Sequence, residues 1–246
     1  MSGFLRSFAN DKAPFPMPET TSAIQFMSSL DESVPFAERE RLCAMLVLED
    51  ALWKDGFSRI AGVDEAGRGP LAGPIVAAAV ILNRPIARLN DSKRLSESDR
   101  RVLFGYILSG EHWVGVASVS PGDIDAHGIQ QANYRVMRDA ITALRQAPDF
   151  VLVDGFALSG ISQPVMRVIK GDARSLNIAA ASIVAKVTRD EMLLELDKRY
   201  PEYGFANHKG YGTREHLEAI RRFGPCPEHR LSFAPFNREV GITELF

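Results

Sequence analysis

The sequence predicts an α/β fold in which a mixed five-stranded sheet is covered by helices. Three observations lead there. Apolar and β-branched runs of strand length recur at 60–63, 75–82, 113–119, 150–153 and 165–169, bounded by Gly, Pro or polar residues. Ile129, Ala132, Val136, Ala140 and Leu144 keep the longer period of an amphipathic helix with one face on a sheet. Strands come first and then alternate with helices, without internal repeat, which is the order of one layered α/β domain.

Taken in order, residues 1–33 carry prolines at 14, 16 and 18 and little periodic apolar content, so a flexible tail is expected. Over 34–58, Leu42, Met45, Leu46, Leu52 and Trp53 share a helical face, with Pro35 in the first turn and Gly56 as the stop. One appended helix is expected. Three consecutive strands, 60–63, 75–82 and 113–119, precede the helix over 129–144, and two more, 150–153 and 165–169, follow it. Residues 176–200, Ala-rich and free of Gly and Pro, predict a long helix. A last helix over 213–223 has Thr213 as N-cap and Gly224 as terminator.

With 246 residues, 46% hydrophobic and 24% charged, the chain can bury a sizeable core. Cys43 and Cys226 fit neither a disulfide framework nor a structural zinc site. The longest apolar run, 75–82, has eight residues against the ~20 of a membrane-spanning helix. The opening MSGFLRSFANDK lacks the apolar stretch of an export signal, so a cytoplasmic location without membrane contact is expected, as is a monomer. Net charge is −2, but residues 1–58 hold five Lys/Arg against nine Asp/Glu, which leaves the remainder slightly basic. Within 204–238, six basic residues (Lys209, Arg214, Arg221, Arg222, Arg230 and Arg238) stand against three glutamates, a surplus suited to phosphate.

The most informative stretch is IAGVDEAGRGPLAGP at 60–74, where Asp64 and Glu65 end an apolar strand and open a glycine-rich loop. Gly67, Gly69 and Gly73 are spaced G-x-G-x-x-x-G, not as a dinucleotide fingerprint, and neither a phosphate loop nor a serine-hydrolase elbow is present. Gly67-Arg68-Gly69 instead offers backbone groups to a sugar or phosphate at close range. Asp154 and Asp172 also follow strand exits, so the four acids are expected to gather at one sheet edge. Each pair of like charges ~4 Å apart costs about 4 kcal/mol at an effective dielectric near 20. Such a cluster calls for cations, and an all-oxygen donor set favours Mg²⁺ or Mn²⁺. Two such ions suit in-line attack of water on a phosphodiester.

These residues resemble ribonuclease HII, the type 2 ribonucleases H. The resemblance runs through VDEAGRGPLAGP at 63–74, DSKRLS at 91–96, LVDG at 152–155, KGDARSLNIAAASIVAKVTRD at 170–190, HKGYGT at 208–213 and HRLSF at 229–233. It implies a ribonuclease H-like catalytic domain over 59–200 and a C-terminal helical extension with a substrate-contacting motif over 201–246. It also implies hydrolysis of the RNA strand of RNA–DNA hybrids, nicking 5′ to single ribonucleotides in duplex DNA, and 3′-hydroxyl and 5′-phosphate products. By motif position Asp64, Glu65, Asp154 and Asp172 correspond to the metal-binding acids. Gly67, Arg68 and Gly69 correspond to the loop that senses the ribose 2′-hydroxyl, and Tyr211 to the aromatic that packs on the following deoxyribose.

Lys93 and Lys170 are candidate phosphate contacts, and Arg214, Arg221 and Arg222 a candidate backbone-binding face. A salt bridge or surface role suits Lys186, and a structural role suits a lone His208 better than a proton shuttle. Two departures from the family pattern stand near the motifs: Phe156 replaces an Asn, and Asn177 a smaller polar residue. The competing readings are a non-catalytic nucleic-acid binder, which a missing carboxylate would have favoured, and a DNA-cleaving relative of the same fold, which gains nothing from the Gly-Arg-Gly loop.

Overall fold

The structure, a computed structural model, describes residues 22–236. The tail expected over 1–33 lies outside them up to residue 21. From there the chain is helical: α1 (Ala23–Met27) is capped by Ser22 and buries Phe26 and Met27. The single helix expected within 34–58 is two, α2 (Phe36–Ala44) and α3 (Val47–Lys54), parted at Met45 and Leu46. Both linking residues are buried, so the break keeps the apolar face on the core.

The strands follow as β1 (Ile60–Ala66), β2 (Ile75–Ile81), β3 (Trp113–Val119), β4 (Phe150–Asp154) and β5 (Val165–Val168), in the sheet order β3-β2-β1-β4-β5. The mixed five-stranded sheet is as expected. Seven buried residues in succession make β2 an interior strand, whereas β5, with Met166 and Arg167 exposed, is an edge. The pairs β1–β4 and β4–β5 are parallel.

Two helices escaped the sequence reading: α4 (Glu97–Ile107), capped by Ser96, and α5 (Pro121–His127), capped by Ser120. The expected amphipathic helix is α6 (Ile129–Thr142) and the long one α7 (Leu176–Arg199). On α7, Ala179, Ala180, Ala181, Ile183, Val184 and Ala185 are all buried, and small side chains let the helix lie close to the sheet. Gly62 permits that approach, because a Cβ there would sit 2.1 Å from the carbonyl carbon of Asn177. The Asn177 Oδ1 in turn accepts the Leu82 N–H at 2.8 Å, which gives this departure from the family pattern a structural task. The short α8 (Phe205–His208) and α9 (Arg214–Phe223) complete the chain, with Thr213 and Gly224 capping α9 as expected.

The described residues resolve into two compact units. One comprises the chain up to Glu65, Ala77–Ala117 and Met137–Val187; the other comprises Ala66–Val76, Ser118–Val136 and the chain from Thr188. The second has its own apolar cluster, in which Leu71, Leu193, Leu196, Phe205 and Ile220 are buried together. Among the described residues no helix is long and apolar enough to cross a membrane, and Cys43 and Cys226 are free thiols.

Candidate active site

In the first unit, parallel register sets the acids. Pairing of Val63 with Val153 puts Asp64 and Asp154 at equivalent positions one residue further along adjacent strands, on the same face. Asp64 is buried and Glu65 half-buried. Burial, and then the charges of Glu65 and Asp154, hold the Asp64 carboxyl well above the usual carboxylate range, against hydrogen bonds from Ser182 and the Glu65 N–H. Burial likewise raises Asp154, assisted by the charge of Asp172 and opposed by the Gly171 N–H, which Asp154 Oδ1 accepts at 2.6 Å. That bond ties Asp154 to the 3₁₀ turn Gly171–Ala173, which carries the buried Asp172.

Lys93 Nζ stands 3.3 Å from Asp172 Oδ2 on a largely exposed side chain. Asp91 caps the Ser92–Arg94 turn by accepting the Lys93 N–H, and Ser92 Oγ lies 2.9 Å from Ser182 Oγ on α7. The DSK motif is thereby linked through Ser182 to Asp64. Lys170 is exposed and in a left-handed backbone conformation, and among the described residues its side chain makes no ion pair with the acids. Among the described residues no three acidic, His or Cys side chains are drawn together as a coordination shell. The charges of Glu65 and Asp154 act on Asp64 and that of Asp172 on Asp154, and the donors are all oxygens.

In the second unit the loop after β1 is held from below. Arg230 is fully buried, and its guanidinium donates to the carbonyls of Gly67 (2.6 Å), Arg68 (3.0 Å) and Gly73 (2.8 and 3.0 Å). Arg189, also buried, donates to those of Ala72, Pro74 and Lys209. The expected basic surplus over 204–238 therefore loses a member: Arg230 is turned inward and is no phosphate contact. Arg68 reaches Gln130 at 3.3 Å, and Gly69 lies beside the Tyr211 ring.

Tyr211 is half exposed, and its backbone rests on histidines. His208 accepts the Tyr211 N–H on its carbonyl, and its own ring is bonded to the Tyr203 carbonyl and the Gly210 N–H. This is the structural role expected of it. The Tyr211 carbonyl lies 2.9 Å from His216 Nδ1; a carbonyl only accepts, so that nitrogen carries the proton and Nε2 is left to accept from His229 Nε2 at 3.0 Å. Burial lowers both His216 and His229 to about 4, so the rings are neutral at physiological pH. Sequence reasoning missed Arg189, Arg230, His216 and His229 as supports; the HRLSF motif was the available signal for His229 and Arg230, the end of the 170–190 motif for Arg189, and nothing marked His216.

The ribonuclease HII family model matches residues 61–236. The ribonuclease HII of Desulfitobacterium hafniense (strain DSM 10664 / DCB-2) is 51% identical over 208 residues, which cover 84% of this chain and 80% of the relative. That of Chlamydia muridarum is 51% identical over 197 residues, 79% of this chain and 90% of the relative. The crystal structure of ribonuclease H2 from Pyrococcus horikoshii OT3 superposes with a TM-score of 0.62 at 29% identity, covering 72% of this chain and 95% of that one. With its motifs in order and its fold shared, the chain belongs to the ribonuclease HII family and is a ribonuclease H hydrolase.

Proposed function

We propose that this chain, beyond the endoribonuclease action on RNA–DNA hybrids that its family membership brings, nicks duplex DNA 5′ to a single embedded ribonucleotide. The observation that carries the reading is the β1–β4 register, which sets Asp64 and Asp154 one residue beyond the Val63–Val153 pair on adjacent strands, where burial and neighbouring carboxylates disfavour their charge. Oxygen-only donors in a buried, like-charged setting fit a hard divalent cation, Mg²⁺ or Mn²⁺. Asp64, Glu65, Asp154 and Asp172 would hold two such ions. When bound, they lower the pKa of a water and neutralise charge on the leaving 3′-oxygen.

The chain's own residues do the rest. Asp154 fixes the turn that presents Asp172, and Ser182 steadies Asp64. Lys93, paired with Asp172 yet largely exposed, offers a cation to a neighbouring phosphate, and exposed Lys170 a further phosphate contact. Gly67 follows Glu65 by two residues, so covalent geometry keeps it within about 8 Å of that acid. Backbone groups of Gly67, Arg68 and Gly69 meet the 2′-hydroxyl, the group that separates RNA from DNA, and Tyr211 packs on the next sugar, where hydrogen is tolerated better than hydroxyl. The products are a 3′-hydroxyl and a 5′-phosphate.

The test is a nicking assay on a DNA duplex bearing one ribonucleotide, with Mg²⁺, Mn²⁺ or EDTA. Divalent-dependent cleavage on the 5′ side of the ribonucleotide, and none of the matching all-DNA duplex, is expected. Folded protein that leaves the substrate intact with both metals overturns the reading.

A further inference from the structure

Taking a guanidinium out of water costs several kcal/mol unless every donor finds a partner. Arg230 is fully enclosed, and it directs its donors onto backbone carbonyls within 67–73, four bonds in all, with its plane over the Phe233 ring at 5.2 Å. A planar fork of five donors spans three carbonyls at once; a lysine ammonium, a single point on a flexible stem, does not.

The direction of those bonds has a geometric consequence. In a trans peptide the carbonyl of one residue and the N–H of the next point opposite ways. Holding the carbonyls of Gly67 and Arg68 on the guanidinium therefore turns the N–H groups of Arg68 and Gly69 away from it. Gly67 accommodates this at φ +98, in the region that favours glycine. Arg230 is itself anchored. Its N–H donates to the Leu71 carbonyl at 2.8 Å, and Asp125 accepts from Leu231 N, Ser232 N and Ser232 Oγ directly beyond it. Arg189 bonds instead to the carbonyls of Ala72, Pro74 and Lys209, and its side chain fills the space a Gly67 Cβ would need, so it packs on the segment without gripping its carbonyls.

We propose that Arg230 is the positioning residue for ribose recognition: from beneath the loop it sets the Gly67–Arg68 and Arg68–Gly69 peptide planes so that two N–H donors face the 2′-hydroxyl. This rests on the reading that the Gly67–Gly69 loop meets the ribose. Arg230 touches no substrate; it acts through the planes it fixes.

The experiment measures KM and kcat for nicking of the single-ribonucleotide duplex and the inhibition constant of the matching all-DNA duplex as competitor. Their ratio, all-DNA inhibition constant over KM, reads sugar discrimination apart from general DNA affinity. For Arg230→Lys the ratio is expected to fall about tenfold, the size of one lost hydrogen bond to a neutral donor, with all-DNA affinity unchanged. Leu196→Ala, which opens a cavity in the apolar cluster of the same unit without touching the loop's hydrogen bonds, is expected to lower the melting temperature while the ratio stays within twofold of wild type. A folded Arg230→Lys that keeps the ratio overturns the proposal, as does an equal fall in Leu196→Ala, which would mean general loosening. If Arg230→Lys does not fold, Asp125→Ala replaces it: a fall of about threefold is expected from the slackened anchor, and an unchanged ratio overturns the proposal. Wild-type protein that neither nicks the ribonucleotide duplex nor distinguishes the two duplexes refutes the underlying reading instead.

Discussion

Glu49 is the residue whose replacement separates burial from charge most cleanly. It lies on α3, fully buried, and accepts the Ser175 hydroxyl at 2.6 Å and the Asn177 N–H at 3.3 Å. Ser175 Oγ accepts the Ile178 N–H, so Glu49 and Ser175 together cap the start of α7, the helix that carries Ser182 to Asp64. A carboxylate at a helix N-terminus gains from the dipole, typically 0.3–1 kcal/mol. Burial outweighs that here and pushes Glu49 up to about 7 from its ordinary 4.5. The folded-state pKa is raised, so the associated stability is present in full below pH 4.5 and is lost as pH rises through 7. At 1.36 kcal/mol per pH unit the ionised form costs about 3 kcal/mol at pH 8.5. Glu49→Gln keeps one acceptor oxygen for Ser175 and Asn177 and cannot ionise; its amide N–H₂ takes the place of Oε2, which is buried without a hydrogen-bond partner. We expect the variant to match wild type near pH 5 and to exceed it by roughly 2–3 kcal/mol at pH 8.5. Urea unfolding of both proteins across that range measures the difference, and titrations common to both cancel. A difference constant to within about 0.5 kcal/mol would show that Glu49 does not carry the buried charge.

Four further outcomes follow from the geometry. Asp64→Asn abolishes divalent-dependent nicking yet raises the melting temperature of the metal-free protein at pH 7 to 8, because it removes a buried charge repelled by Glu65 and Asp154; a lower melting temperature contradicts this. Gly67→Ala destabilises by roughly 1–3 kcal/mol, since φ is +98 and a Cβ would fall 2.1 Å from Arg189 Nε, whereas Gly69→Ala, whose nearest atom is 3.8 Å away on Tyr211, melts like wild type. Tyr211→Ala melts like wild type because the ring is half exposed, and its preference for the single-ribonucleotide duplex over a continuous hybrid falls roughly tenfold. In an NMR titration the rings of His216 and His229, lowered to about 4, stay neutral down to pH 5, so the stability their neutral forms contribute is lost only as pH falls from 6.5 towards 4; a midpoint above 6 for either contradicts the burial argument.

What the sequence made legible, and what it hid, divides along a physical line. Asp64 and Asp154 were readable because the code for each is local: an apolar run with an acid at its exit. Parallel pairing then brings equivalent positions together without further information. The long α7 and the capped α9 were equally local, written in composition and in Thr213 and Gly224. The break between α2 and α3 was not, because Met45 and Leu46 fit a continuous helical face as well as a broken one, and packing decides. Charge misled for the same reason. Glu49 reads as one more acid in an acidic leader and Arg230 as one more base in a basic surplus, yet both are fully enclosed and meet backbone or hydroxyl partners brought in by the fold. Counting charges along a chain assumes that they face water. Groups that hold a loop in shape are the ones most prone to break that assumption, since a carbonyl can be gripped from inside only by a donor that has left the surface.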